Sequence, residues 1–391
     1  MTLPTGTITM ADVNVELGLP STTLISLNDT AVRNLAGIPS GTISMNDLRG
    51  KSAALPYVAI GSATAPRVNA YAWSSSSGFG TKFSNPALMP TSNSANGVDY
   101  NTTTSSLAWS VAQSTGGIGN LITYPWSSSG FGTAYSAPSP VASSLSNNVR
   151  YPPDNLAVVT ASSGSPYTSA YPWSSGGYGT RFANPGVLPA GASFGLGFKA
   201  DSSVVAIGNT TTTPYVQAYD WSSSTGYGSR YVNPSSFPSQ GPLGLEFITK
   251  SGSTAVVMAV QANPYANAYY WSGGWGTQIS PPATPPTGQG EDVTFSEDGN
   301  YVAFAHRSNP FISVYNWSMA SGFGSKFANP ASLPSSDAYS VSFNKNGAVG
   351  IVHIGFQPYL AVYPWSSSGF GTRYADPATL LAGAAFSISF F

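Results

Sequence analysis

The 391 residues carry 14 Lys+Arg and 15 Asp+Glu, a net charge of −1, and only 7% of them are charged, against roughly a quarter in an ordinary soluble domain. That balance argues against a nucleic-acid partner, whose phosphates need concentrated Lys and Arg. No run of about 18 apolar residues suggests a membrane span. With no cysteine, disulfides and thiolate chemistry are excluded, while 41% apolar residues suffice for a large packed core.

Residues 1–52 open the chain with a three-fold pattern: Ile8-Thr-Met-Ala-Asp12, Ile25-Ser-Leu-Asn-Asp29 and Ile43-Ser-Met-Asn-Asp47. In each, an apolar entry leads to Thr9, Ser26 or Ser44, followed three residues later by Asp12, Asp29 or Asp47. This is capping-box spacing with Asp in place of Glu, so these six residues are the expected helix caps. Helices are predicted over Ala11–Leu17 and Asp29–Leu35, with a short turn at Asp47, ending near Gly18, Gly37 and Gly50. A piece this small buries little surface alone. It is expected to be a small α/β piece stable only against a partner or another copy of itself, with a domain that folds without a partner as the alternative.

From residue 55 the chain repeats. Seven tryptophans, Trp73, Trp126, Trp173, Trp221, Trp271, Trp317 and Trp365, follow one another at steps of 53, 47, 48, 50, 46 and 48 residues. A period near 48 suits a propeller blade of four strands. In the sixth copy, Asp292–Phe295 alternates as a first strand and Ser296–Asn300 is a turn in which Gly299 can take positive φ. Tyr301–Ala305 is a second strand, Asn309-Pro310 marks a turn, and Phe311–Trp317 is a third. A Ser/Gly turn then leads to a fourth strand, Gly324–Phe327. The recurring string, WSSSGFGTRY at Trp365–Tyr374, is therefore a hairpin. Its outer strand carries Lys82, Arg181, Arg230, Lys326 and Arg373 at one position, with Ala134 and Gln278 in the other two copies. Cations on an edge strand discourage pairing with other chains. Proline follows in every copy, from Pro86 to Pro377, and ends the ladder.

The two ends of the repeat fit each other. The first copy begins at Leu55-Pro-Tyr-Val-Ala-Ile60, which matches a second strand. The chain finishes at Ala385–Phe391, which matches a first strand. The expectation is all-β: a seven-bladed β-propeller over residues 55–391, closed by the C-terminal strand and preceded by the α/β anchor of residues 1–52.

The segment Gly6–Ser52 resembles the N-terminal module of many tailed-phage virion proteins, and the repeat resembles phage-encoded propeller blades that end in YPWSSSGFGTKFSNPA-like hairpins. Copies two and five depart most, with Ser136-Ala-Pro138 and Ile279-Ser-Pro281 replacing the Asn-Pro ending. The resemblance implies a structural component of a virion, made in the host cytoplasm and present in multiple copies. Residues 1–52 would attach to other virion proteins of a tail, tail fibre or baseplate, and the propeller would meet a host-surface glycan or protein. A capsid or neck decoration is the alternative, and a glycan-active enzyme a less favoured one.

Chemistry-bearing residues are sparse. His306 and His353 fall at matching repeat positions, which points to packing rather than catalysis, and two histidines make a poor zinc site. The adjacent pair Glu291-Asp292 could bind a cation or act on a sugar, but no second carboxylate at a known separation can be named. No phosphate-binding loop appears. The seven Tyr-x-Trp pairs, from Tyr71/Trp73 to Tyr363/Trp365, are expected to pack between blades, with sugar-stacking platforms the less favoured alternative. Trp109, Trp275, Phe356 and Tyr151 fall off the repeat register and are the better candidates for anything blade-specific. No catalytic, metal or cofactor residue is assigned, and the chain is expected not to be an enzyme.

Overall fold

The structure, a computed structural model, describes the chain apart from residues 1–2, 5, 18–20, 37, 39, 50–56, 114–119, 142–143, 237 and 239. It divides into two compact units, Met1–Pro56 and Tyr57–Phe391.

The first unit contains α-helices Met10–Glu16 and Thr30–Ala36 and a short 3-10 helix, Met45–Leu48. Its caps form as hydrogen-bond pairs. Thr9 N donates to Asp12 Oδ2 (2.7 Å) and Asp12 N to Thr9 Oγ1 (3.2 Å). Ser26 N donates to Asp29 Oδ2 (2.8 Å) and Ser44 N to Asp47 Oδ2 (2.8 Å). Each aspartate thus satisfies a backbone donor that a helix start leaves without an intrahelical partner. The unit has its own apolar cluster, in which Ile8, Val13, Val32, Leu35 and Leu48 are buried. The predicted helix ends at Gly18, Gly37 and Gly50 lie outside the described residues.

The second unit is a seven-bladed β-propeller of seven four-stranded antiparallel sheets. Six blades use consecutive strands. The remaining one is closed by the chain's end: Ala385–Phe390 pairs antiparallel with Tyr57–Ser62, with Ile60 opposite Ile388. The predicted strand start at Leu55 lies outside the described residues. The second strands, such as Val204–Asn209 and Ala348–His353, are buried along their whole length, because each blade is covered on both faces by its neighbours.

The third strands hold the blades together. Tyr71, Tyr124, Tyr171, Tyr219, Tyr269, Tyr315 and Tyr363 are buried. Six of them donate a phenol hydrogen bond to a carbonyl in the connection leaving a neighbouring blade, as Tyr315 does to Thr284 O (2.8 Å) and Tyr363 to Ser332 O (2.7 Å). In six blades the tryptophan two residues on meets aromatic edges from its own hairpin and from the preceding blade, and at Trp317 Ile279 takes the latter place. Trp73 lies 5.0 Å from Phe79 of its own hairpin and 5.0 Å from Tyr374 of the preceding blade.

The residue between this Tyr and Trp sets the length of the outer strand. Where it is Pro125, Pro172 or Pro364, the outer strand shrinks to two residues, Gly130–Phe131, Gly177–Tyr178 or Gly369–Phe370. Where it is Ala72, Asp220, Tyr270 or Asn316, the outer strand has five residues. A proline has no N–H to donate, so the ladder stops there. This changes the expected position of two cations. Arg181 and Arg373 lie beyond the short outer strands, and each donates to a carbonyl of the third strand, Thr168 O or Leu360 O, and to the Asn184 or Asp376 side chain three residues on.

Candidate functional site

The innermost strands, Ser92–Asn101, Ser146–Arg150, Ser193–Phe198, Pro242–Lys250, Gly290–Phe295, Ala338–Asn344 and Ala385–Phe390, surround the propeller axis. Each pairs with its second strand through an irregular register near its start. A β-bulge leaves one residue unpaired and re-aims its side chain. The residues at these bulges are Asn96, Asn147, Phe194, Leu243, Glu291, Tyr339 and Phe386, and all of them line one axial cavity of about 390 Å³.

Below the bulge, the period of two decides what faces the axis. The next level is small or polar: Gly97, Asn148, Gly195, Gly244, Asp292, Ser340 and Ser387. Glycine is required where strands converge, since a Cβ on Gly244 would lie 2.5 Å from Cα of Asp292. Val98, Val149, Leu196, Leu245, Val293, Val341 and Ile388 come next and are buried in the blades. The level after that carries Asp99, Arg150, Gly197, Glu246, Thr294, Ser342 and Ser389.

The two axial levels form one charged cluster. The Arg150 guanidinium interacts with Asp99, Glu246 and Asp292; burial opposes its charge, but these carboxylates outweigh burial and its pKa is raised. Burial pushes Asp99 and Asp292 up, and Arg150 together with backbone N–H donors offsets part of that. Asp292 Oδ2 accepts from Ser340 Oγ (2.7 Å) and Val341 N (3.1 Å) on the next blade. Burial pushes Glu246 up to about 7 despite Arg150. At the bulge, Glu291 pairs with Arg307 Nε and accepts from Gln289 Nε2 (2.7 Å). Burial pushes Glu291 to about 7 as well. Arg307 Cζ sits 4.9 Å from the Tyr339 ring centroid, and Tyr339 meets Phe386 edge-to-face at 5.3 Å. A carboxyl with a pKa near neutrality in a ligand-sized pocket can exchange a proton at working pH. The cavity therefore offers a proton acceptor, guanidinium donors and an aromatic wall.

Of the residues singled out in the sequence, Glu291 and Asp292 belong to this cavity. His306 and His353 do not line it; they are buried at the ends of second strands, and burial lowers both to about 4. His306 Nε2 lies 3.0 Å from Ser313 Oγ. Trp73, Trp126, Trp173, Trp221, Trp271, Trp317 and Trp365 are all buried between blades. Trp109 is a fully buried core residue and Tyr151 packs on Trp173. Trp275 packs edge-on against Trp271 in its own hairpin, and Phe356 is 71% exposed. Lys82, Arg230 and Lys326 stand in outer strands opposite Tyr71, Tyr219 and Tyr315, away from the axis. Besides Arg307 and the aromatic wall of Tyr339 and Phe386, the residues that the sequence did not single out are Asp99, Arg150 and Glu246, charged groups of the innermost strands. Their available signal was a charge in a first strand, in a chain where charge is scarce. Among the described residues, no group of three or more His, Asp or Glu side chains could hold a metal ion, and no helix is long and apolar enough to cross a membrane.

No protein-family model matches the chain, and no curated protein does. Solved structures do match its fold. A "putative 6-phosphogluconolactonase" from Bacteroides fragilis is 9% identical, with a TM-score of 0.63 over 86% of this chain and 98% of that one. A second protein so described, from Bacteroides uniformis, is 12% identical with a TM-score of 0.64 over 86% and 99%. The periplasmic gluconolactonase of Pseudomonas aeruginosa is 14% identical with a TM-score of 0.64 over 86% and 99%. These likenesses establish the propeller fold. They also correct two expectations, the virion structural role and the absence of enzymatic character: the neighbours are propellers named as lactonases, not phage proteins, and the axis holds a charged, ligand-sized cavity.

Proposed function

We propose that the axial cavity binds a small cyclic ester of the sugar-lactone class and hydrolyses it. The observation that carries this is the placement of Glu291, a carboxyl pushed to about 7 by burial, in the same cavity as the Arg150 guanidinium. The lactonase names of the structural neighbours support the choice of ester. In the proposed step a water attacks the lactone carbonyl while ionised Glu291 takes its proton. Arg150 donates to the carbonyl oxygen as negative charge develops there. The ring C–O bond then breaks, and the leaving oxygen takes the proton back from Glu291 as a hydroxyl. Asp292 orients Arg150, and Arg307 and Gln289 hold Glu291. No metal or cofactor takes part in this scheme.

The test is hydrolysis of D-glucono-1,5-lactone by the full chain in a pH-stat, with spontaneous hydrolysis subtracted. Turnover above background is expected, with kcat/KM rising as Glu291 ionises near pH 7. Glu291→Gln should lower it by about 10²-fold or more and remove the pH limb. Wild-type turnover that Glu291→Gln leaves intact would reject Glu291 as the base, and no turnover of any lactone would reject the function.

A further inference from the structure

We infer that the ligand of the axial cavity is uncharged and polyhydroxylated, and that a phosphorylated sugar lactone is excluded; this rests on the hydrolase reading above for the ester but not for the charge. The neighbours' names leave both open, since they include phosphorylated and unphosphorylated lactones. The cavity's own charges decide between them.

The charge of both guanidiniums at the cavity is already offset by carboxylates, which leaves Arg150 able to donate to a neutral carbonyl oxygen but not to balance a phosphate. Arg150 interacts electrostatically with Asp99, Glu246 and Asp292. Arg307 is paired with Glu291 and lies over the Tyr339 ring. Among the described residues, no other cation lines the cavity. A phosphate is ordinarily held by uncommitted Arg or Lys donors or by a helix N-terminus. Here it would meet the lining carboxyls Glu291 and Asp292 beside two arginines whose charge is already balanced, and drawing Arg307 away would strand the buried Glu291 carboxylate.

The remaining wall suits a neutral ring. Phe194, Leu243, Tyr339 and Phe386 present apolar surface, and at the same level stand the uncharged Asn96, whose Oδ1 accepts from Ser94 Oγ, and Asn147, which bonds to Ser163 and Ser193. Apolar faces with a few placed polar groups match the C–H faces and hydroxyl edge of a sugar.

The experiment compares D-glucono-1,5-lactone with its 6-phosphate as substrates of the full chain, and D-glucono-1,5-lactam with 6-phosphogluconate as ligands by calorimetry. A preference of about tenfold or more for the neutral member of each pair is expected, equivalent to 1.4 kcal/mol. Equal or better use of the phosphorylated member overturns the inference and leaves the hydrolase reading standing. Lactam binding without any turnover does the reverse, and binding of neither sinks both. Glu291→Gln releases Arg307 and removes one negative charge, so its affinity for 6-phosphogluconate should rise several-fold relative to the lactam. An unchanged ratio would show that engagement of Arg307 is not what excludes phosphate.

Discussion

The inter-blade tyrosines allow a controlled test of what holds the propeller together. Tyr315 and Tyr219 occupy the same place in their blades, and both are fully buried. Tyr315 Oη donates to Thr284 O at 2.8 Å. Tyr219 Oη is buried without a hydrogen-bond partner. Removing the hydroxyl should therefore act differently at the two sites. Tyr315→Phe loses a buried hydrogen bond and leaves a carbonyl unsatisfied, which costs about 1–3 kcal/mol. Tyr219→Phe removes a buried polar atom that had no partner, so its effect should be near zero or slightly stabilising. The predicted difference between the two variants is about 1–2 kcal/mol, read as a shift in urea midpoint at unchanged slope. Equal midpoints for the two variants, or a larger loss for Tyr219→Phe, would refute the view that the phenol bonds, rather than ring burial alone, pin each blade to its neighbour.

Three further outcomes follow from the same structure. His306 is buried neutral, with its pKa lowered from 6.5 to about 4, so the unfolded chain binds the extra proton and stability falls as pH drops from 6.5 toward 4. Relative to His306→Gln, the wild type should lose up to about 3 kcal/mol across that window in denaturation at stepped pH, and parallel profiles would contradict this. Gly244→Ala places a Cβ 2.5 Å from Asp292 Cα and should depress both the midpoint and lactone turnover, whereas an unaltered turnover would show that the axis tolerates strand displacement. Deleting residues 385–391 strips the closing strand from Tyr57–Ser62 and should abolish cooperative unfolding by circular dichroism, because that blade's inner edge is left unpaired and the ring no longer closes.

The fold was legible because the blade is written seven times. The Tyr-x-Trp pair fixes one face of the third strand by its period of two, and the following Gly-rich turn fixes the hairpin. Closure could be read because Tyr57–Ser62 lacked a partner and Ala385–Phe390 was left over. Two features were written but not read. Proline between Tyr and Trp forecasts the two-residue outer strands of three blades. The cation and the Asn or Asp three residues later vary together: Arg181 with Asn184 and Arg373 with Asp376 are bonded pairs, and Ala134 is followed by Ala137.

The site was harder to read, for a physical reason. Repeats advertise what all blades share, whereas a cavity on the axis is built from what they do not share. Glu291, Tyr339, Phe386 and Asn96 hold equivalent positions with unrelated chemistry, so no motif joins them. Only the bulge does, by adding one residue to each innermost strand and turning it inward. The same geometry explains why the fold could be right while the function was misassigned. The hairpins that carry the resemblance to phage propellers lie at the outer edges of the blades. The residues able to choose a ligand are one per blade at the opposite edge, separated by some 50 residues of sequence and brought together only when Phe390 pairs with Val58 and the ring closes. In a propeller of this kind, function is best sought in the positions that break the repeat within the first strand, and here those positions carry Arg150, Glu246 and the pair Glu291-Asp292.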